Sequence, residues 1–326
     1  MKKKTSEKIV EYIRNKKQIS ANELADHFEI SRQALYKHLS KLLEDNIVSK
    51  IGTPPKVFYS LNTEVKKVSN LIKVEEQIKK YIDEHYLFIT PSGKKEDGWE
   101  GFVYWCKRTN QPISKTANEY YQTSKKYDLL KRNNLLNGSS KLQTTFQFVY
   151  LDYLYYLDFY SIERFGKTKI GQMLLYAKQS QNKTLIRELS QLIKKRIEFV
   201  IQKHKVDAVG FIPPTVKREV QFMRELEKNI ALNTPSISIV KIKTDVAVPQ
   251  KTLSKLQDRI ENAHTTLVVD EKRKYKNILL IDDAVGSGST LNETAKQLKS
   301  KKLVGNNVIG LAITGSFKGF DVISEV

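Results

Sequence analysis

One short segment near the carboxyl end of the chain constrains the fold more than any other. Residues 277–291 read NILLIDDAVGSGSTL. The apolar run 278–281 predicts a buried strand, and a helix is predicted to start near Leu291. Between them lie two adjacent acids and a loop of small residues, 284–290. This strand, loop and helix order is typical of parallel α/β proteins, which bind ligands at the carboxyl ends of their strands.

The residue types in this loop suit a phosphate group. Glycines let the backbone approach an anion closely, and successive N–H groups can surround it. The helix N-terminus adds partial positive charge, and Ser287, Ser289 and Thr290 add hydroxyl donors. Asp282 and Asp283 are placed to accept hydrogen bonds from sugar hydroxyls. The segment is not a Walker P-loop, because no Gly-Lys-Ser/Thr closes it.

The segment resembles the phosphoribosyl pyrophosphate loop of type I phosphoribosyltransferases, which also has an apolar strand, two acids and a loop ending in Thr. The resemblance implies that Asp282 and Asp283 are catalytic candidates that bind the ribose hydroxyls, while the loop holds the 5′-phosphate. It also implies Mg²⁺ as a cofactor when phosphoribosyl pyrophosphate is bound, with no residue assigned as a direct metal ligand. The ligand-binding candidates in the loop are Ala284, Val285, Gly286, Ser287, Gly288, Ser289 and Thr290.

Two further features bear on this resemblance. The run 206–212 predicts a second buried strand, which ends at two prolines. Lys217 and Arg218 follow where such enzymes carry their pyrophosphate loop, so both are catalytic candidates, with solvated surface charges as the open alternative. Purine-salvage relatives carry a third acid inside the loop, and this chain has Gly286 there, which argues against purine salvage.

More distantly, the carboxyl-terminal part resembles the ComF (competence protein F) branch of these proteins. The resemblance covers about residues 173–315 and predicts a phosphoribosyltransferase-like domain over 173–326 with a parallel α/β core. The segments that carry it are the helical region 173–193, the loop 212–218, a stretch with Gln250, Leu253, Arg259 and Asn262, and a last strand at 308–313.

The first 63 residues carry a different pattern. Helical spacing of apolar residues predicts a helix over 5–17, a second one capped by Ser20, and a third one capped by Ser31. Two short apolar runs then flank Gly-Thr-Pro-Pro at 52–55, which predicts a two-stranded hairpin. This order resembles the winged helix-turn-helix family over residues 5–61.

The resemblance implies that residues 1–63 form a DNA-binding domain whose third helix enters a major groove while the hairpin touches the backbone. The implied DNA-binding residues are Arg32, Gln33, Tyr36 and Lys37 on the third helix, with Lys50 and Lys56 on the hairpin. A winged helix used for protein contacts alone is the open alternative.

Residues 64–172 carry no recognisable motif for chemistry. We expect them to form a basic, aromatic-rich middle region that is mostly helical, beginning with a charged helical linker at 64–84. Short strands and turns are predicted over 85–115. The aromatic stretch 145–162 predicts a buried helix or a subunit contact, with base stacking as the alternative.

Composition adds a partner class and a compartment. The 326 residues carry a formal charge of +20, which favours a polyanionic partner, and the surplus is largest over 64–205. A solvated surface is the other interpretation of that surplus. A single cysteine and the missing signal peptide favour a cytoplasmic protein. No apolar run is long enough to predict a membrane partner.

These patterns leave two classes of function open. In the first, the protein is a regulator that binds DNA or another nucleic acid and responds to phosphoribosyl pyrophosphate or a nucleotide. In the second, it is an active phosphoribosyltransferase or nucleotide-modifying enzyme, such as an effector of a bacterial anti-phage system of the retron type. A scaffold with a vestigial nucleotide fold is disfavoured by the intact loop. A homodimer or larger assembly is expected, because winged helices often read paired half-sites.

Overall fold

The chain divides into two compact units, residues 1–73 and 74–326. The computed structural model describes residues 4–45, 47–62, 73–216 and 218–316. The predicted linker at 64–84 therefore lies partly outside the described residues, and its described end is helical from Glu76.

The first unit has three helices followed by a hairpin, as the sequence predicts. Ser20 and Ser31 are the N-caps of the second and third helices, accepting hydrogen bonds from Glu23 N and Ala34 N, both at 3.2 Å. Glu23 closes the capping box by accepting from Ser20 N, also at 3.2 Å. The elements are α1 Thr5–Lys16, β1 Ile19–Ser20, α2 Ala21–Phe28, α3 Arg32–Glu44, β2 Val48–Thr53 and β3 Lys56–Leu61.

One apolar core joins these elements. Strands β2 and β3 pair antiparallel, and β1 adds to the other edge of β3. Each helix contributes the buried face that its spacing predicts, and the hairpin closes the core. The fully buried members include Ile9, Ile13, Leu24, Leu35 and Leu39.

The second unit is built on a six-stranded sheet, with two small two-stranded sheets, β4-β5 and β10-β11, beside it. The strands of the unit are β4 Leu87–Ile89, β5 Lys95–Asp97, β6 Lys131–Arg132, β7 Leu135–Asn137, β8 Tyr153–Phe159, β9 Ala208–Phe211, β10 Ile239–Lys241, β11 Leu267–Val269, β12 Tyr275–Val285 and β13 Val304–Gly315. Its helices are α4 Glu76–His85, α5 Gly98–Arg108, α6 Ile113–Asp128, α7 Ser139–Thr145, α8 Lys169–Ser180, α9 Lys183–His204, α10 Phe222–Ile230, α11 Leu256–Thr266 and α12 Ser289–Ser300.

The strand order in this sheet is β6-β7-β8-β13-β12-β9. Strands β8, β13, β12 and β9 run parallel, and the short β7 and β6 are antiparallel additions at one edge. Strand β12 lies between β13 and β9, so the segment that carries the two acids is central in the sheet. The predicted parallel α/β core is therefore confirmed.

Alternate residues of the central strands face two separate apolar layers. Leu279 and Ile281 join a core that includes buried residues of α8, α9 and α10. Ile278 and Leu280 point to the opposite core, which includes Leu291 and other residues of α12. Helices thus cover both faces, as expected for parallel strands with continuous apolar runs.

The aromatic stretch in the middle region differs from the prediction. The predicted buried helix at 145–162 is wrong, because most of its aromatic core is strand β8, paired in parallel with β13. Most of its side chains are buried as expected, including Tyr156, which is completely buried, whereas Tyr153 at the start of the strand is exposed. Tyrosine and phenylalanine fit a pleated, buried surface well, which favours the strand. The sheet therefore includes a strand that precedes residue 173, the predicted start of the carboxyl-terminal domain.

The prediction of short strands over 85–115 holds in part. Strands β4 and β5 pair antiparallel. Beyond Asp97 the chain is helical, because α5 follows at once and buries Trp99 and Phe102 on its inner face.

Candidate functional site

The predicted phosphate loop lies at the carboxyl end of β12. The strand runs further than predicted, to Val285, so the two acids stand on its last residues. Helix α12 begins at Ser289, slightly before the predicted start near Leu291. The turn between them is therefore shorter than the sequence suggests, and the first N–H groups of α12 face the end of the strand without intrahelical partners.

Backbone conformation and hydroxyl groups define this turn. Gly288 has a φ of 88°, a left-handed conformation that favours glycine. A Cβ at that position would lie 2.9 Å from the Leu142 side chain, so a larger residue would force that side chain to move. Ser287 Oγ accepts a hydrogen bond from Ser289 N at 3.3 Å and lies 3.1 Å from Ser289 Oγ. These contacts fix the entrance to the helix.

The two carboxylates differ in their surroundings. Lys178 on α8 forms an ion pair with Asp283, at 2.8 Å between Nζ and Oδ2. Asp282 Oδ1 accepts a hydrogen bond from the backbone N–H of Asp283 at 2.8 Å. Burial, and next the charge of Asp283, raise the pKa of Asp282 above the usual range of an aspartic acid. The two carboxyl groups can therefore accept further hydrogen bonds from a ligand.

A cavity of about 230 Å³ opens beside these groups. Besides residues 282–290, its walls come from segments far apart in sequence: Lys178 on α8, the loop after β9, Lys241 on β10, the turn at Pro249 and Gln250, and Arg259 on α11. The structure thus places Asp282, Asp283 and all seven predicted loop residues at one cavity, together with Arg218.

Cations surround the two acids. Burial lowers the pKa of Lys241, while the nearby Asp282 acts in the opposite direction. Lys178 and Lys241 are absent from the sequence-based predictions, since no motif marks them. The contact between Lys178 and Asp283 spans 105 residues of sequence, which no local pattern reveals.

The two predicted basic residues after β9 have different outcomes. Arg218 lines the cavity and donates a hydrogen bond to the backbone oxygen of Lys178. Lys217 lies outside the described residues. The pyrophosphate role of this pair stays a prediction.

The stretch from Gln250 to Asn262 forms part of the cavity wall. Gln250 Nε2 donates to Arg259 O at 2.9 Å and to Asn262 Oδ1 at 3.2 Å. Arg259 Nε donates to the backbone oxygen of Leu253 at 2.8 Å. All four residues named in that stretch therefore belong to one hydrogen-bonded turn and helix.

The predicted DNA-binding residues share the surface of the first unit. All six are exposed: Arg32, Gln33, Tyr36 and Lys37 on α3, and Lys50 and Lys56 on the hairpin. Tyr36 is 49% exposed although it is aromatic. Their contact with DNA stays a prediction that the exposed α3 face allows.

Comparisons with known proteins match these two units unequally. The model of a family described as an HTH domain matches residues 5–52. Among solved structures, a hypoxanthine phosphoribosyltransferase from Staphylococcus aureus is similar at 17% identity and a TM-score of 0.25, covering 42% of this chain and 69% of that one. No curated protein sequence matches the chain. Within the described segments, no helix has both the length and the apolar character to cross a membrane.

Proposed function

We propose that this protein is a DNA-binding regulator whose second unit binds phosphoribosyl pyrophosphate or a related phosphoribosyl compound. The helix-turn-helix match supports the DNA-binding half of this proposal. The ligand half depends on one observation, the arrangement at the end of β12. There two carboxylates, a glycine turn and a helix N-terminus border one cavity.

Each part of that arrangement has a role toward such a ligand. Asp282 and Asp283 accept hydrogen bonds from ribose hydroxyls. The N–H groups at the start of α12 and the hydroxyls of Ser287, Ser289 and Thr290 donate to the 5-phosphate. Lys178, Lys241 and Arg218 supply positive charge for the remaining phosphates.

Mg²⁺ fits this proposal as a partner of the ligand. The residues described contain no group of three or more His, Cys, Asp or Glu able to hold a metal. Mg²⁺ is often bound by one or two carboxylates together with substrate phosphates, so Asp282 and Asp283 would hold it jointly with the ligand. The ion would neutralise charge on the pyrophosphate.

A regulator needs a ligand that favours one DNA-binding state over another. Two measurements on the full chain test this. Calorimetry with phosphoribosyl pyrophosphate and Mg²⁺ should show saturable binding, lost in Asp282→Asn/Asp283→Asn and kept in the exposed control Asp270→Asn. The affinity for a duplex selected from a random library should then change when the ligand is present, and the stoichiometry tests the expected homodimer.

Absence of ligand binding by the wild-type protein would refute the ligand half. An unchanged DNA affinity at saturating ligand would refute the regulation. Failure to select any duplex would instead favour a winged helix that contacts protein alone.

A second candidate function is transfer of the phosphoribosyl group. The cations around the carboxylates favour it, because they would stabilise a pyrophosphate leaving group. Gly286 stands where purine-salvage enzymes carry an acid, and this difference argues against a purine acceptor. Pyrophosphate release across a panel of bases and nucleotides tests this function.

A further inference from the structure

The guanidinium group of Arg259 is an unused donor in the wall of the cavity. The residue is 4% exposed, and its Nε is bonded to the backbone of Leu253. Its Nη2 has no hydrogen-bond partner among the residues that the structure describes. No carboxylate in the same described segments acts on it, and burial lowers its pKa.

A buried guanidinium without an anion is unfavourable, because the charge has lost its hydration and gained no counter-charge. Buried polar groups of folded proteins are nearly always hydrogen-bonded, so each exception needs an explanation. Arg259 lines the cavity of the candidate site. An anionic ligand in that cavity would supply the missing partner.

The position of Arg259 indicates which part of the ligand it would contact. Its Nη1 lies 3.3 Å from where a Cβ of Gly286 would stand, so the guanidinium packs against the start of the phosphate loop. Arg218 is bonded to the backbone oxygen of Lys178, and Lys178 is paired with Asp283, so these two cations already have partners. The group next to Arg259 is therefore the one that the loop holds.

Gln250 fixes this arrangement and carries a second unused group. Its amide nitrogen donates to the backbone oxygen of Arg259 and to Asn262, which ties the turn to α11. Its Oε1 is buried without a partner in the described part of the chain. Two residues that line one cavity thus carry a buried unpaired donor and a buried unpaired acceptor. A sugar phosphate, with phosphoryl oxygens and hydroxyls, satisfies both.

We propose that Arg259 binds the 5-phosphate of the phosphoribosyl ligand directly, while Gln250 positions Arg259 and accepts a hydrogen bond from a hydroxyl of the same ligand. This inference rests on the proposed ligand. Phosphoryl oxygens come from two places in phosphoribosyl pyrophosphate, the 5-phosphate and the pyrophosphate. Arg259 contacts the 5-phosphate.

Two probes and a set of variants test this on the full chain. Ribose 5-phosphate carries one phosphate, and phosphoribosyl pyrophosphate carries both kinds. Arg259→Met should weaken the binding of both probes by roughly 10- to 100-fold, the range for a hydrogen bond to a charged group. Arg259→Lys should weaken them less. The control Arg273→Met removes an arginine whose side chain is 70% exposed and should change neither affinity.

Stability separates a ligand-binding role from a structural one. If Arg259 serves the ligand, the unliganded Arg259→Met protein should unfold at the same or a higher temperature than the wild type, because an unpaired buried charge is gone. Gln250→Ala should weaken both probes by a smaller factor. A lower unfolding temperature for Arg259→Met with unchanged ligand affinity would overturn the proposal.

The remaining outcomes are equally distinct. Loss of phosphoribosyl pyrophosphate binding with normal ribose 5-phosphate binding would assign Arg259 to the pyrophosphate and overturn this proposal, while the proposed function stands. Wild-type protein that binds neither probe would refute the proposed function and this inference with it. Equal weakening of both probes by Arg259→Met, with Arg273→Met unaffected, supports it.

Discussion

The two units of this protein display positive charge in opposite ways. On the first unit, Arg32, Lys37, Lys50 and Lys56 are exposed on a helix and a hairpin. In the second unit, Lys178, Lys241 and Arg259 line a cavity, and burial lowers the pKa of the last two. Exposed charges are screened by salt and suit a long polyanion. Enclosed charges are screened far less and suit a small, ordered anion.

This difference would allow one strongly basic chain to bind both of the anionic partners that we propose. An extended surface gains affinity by releasing counterions from many phosphates. A cavity instead gains affinity from fixed hydrogen bonds to one phosphate. The variants below perturb one kind of site and leave the other intact.

Gly288→Val should have the largest effect, because it breaks the enclosed site. It forces a β-branched residue into a φ of 88°, with its Cβ 2.9 Å from Leu142. Backbone strain alone costs about 1–3 kcal/mol. We expect a lower unfolding temperature and no measurable ligand binding by calorimetry, with DNA affinity retained.

Gly166→Val is the matched control for that variant. Gly166 has a φ of 76°, but no atom lies within 4 Å of the position of its Cβ. It should lower stability through strain alone and keep ligand affinity. Normal ligand binding by Gly288→Val would show that the turn conformation is not needed.

Arg32→Ala/Lys37→Ala should break the exposed surface. We expect roughly a 10-fold or greater loss of duplex affinity, and a salt slope reduced by about 0.9 for each DNA phosphate that the variant no longer neutralises. Fluorescence anisotropy over a range of salt concentrations measures both. The exposed Lys115→Ala on the second unit is the control. An unchanged slope would remove α3 from the DNA interface.

Lys178→Met should show how much one buried cation contributes to ligand binding in the enclosed site. It removes the 2.8 Å ion pair with Asp283 and one of the charges that keep the pKa of Asp282 from rising further. Ligand affinity should fall by roughly 10-fold, most strongly just above the pKa that Asp282 has in the wild type, because there only the variant still holds the proton on Asp282. Lys178→Arg should restore most of it. A pH-independent loss would place Lys178 outside the carboxylate pair.

Asp282→Asn should have the smallest effect, a gain in unliganded stability. The raised pKa of Asp282 means that the folded state binds this proton more tightly than the unfolded chain. Stability is thus lost as pH rises above the usual range of an aspartic acid. Asparagine removes that loss, so the variant should unfold a few degrees higher at neutral pH and show no gain near pH 4. A gain that is the same at both pH values would contradict this origin.

The first unit was largely predictable because its determinants are local. Ser20, Glu23 and Ser31 mark two helix starts within three residues of each cap. Pro54 and Pro55 separate the two strands of the hairpin, at the end of the predicted turn sequence. Such patterns act over a few residues, so the sequence predicts them without the tertiary structure.

The part of the candidate site that is contiguous in sequence was predictable. The part that tertiary structure brings in from distant segments was not. The segment 282–290 carries both acids and the loop, and the structure places all of them at the cavity. Lys178 and Lys241 reach it from other elements. Strand β8 was predicted as a helix, because its continuous apolar run fits a buried helix or a buried strand equally well. Pairing with β13 decides between them.

The most direct test measures how the affinities for duplex DNA and for ribose 5-phosphate depend on salt, in one preparation of the full chain. We expect the affinity for duplex DNA to fall steeply between low and high salt. The affinity for ribose 5-phosphate should fall far less over the same range, with Arg32→Ala/Lys37→Ala flattening the first dependence alone. Equal salt slopes for the two ligands would contradict two separate anion sites. Competition between duplex DNA and ribose 5-phosphate that Arg32→Ala/Lys37→Ala abolishes would contradict them too, because both ligands would then share one surface.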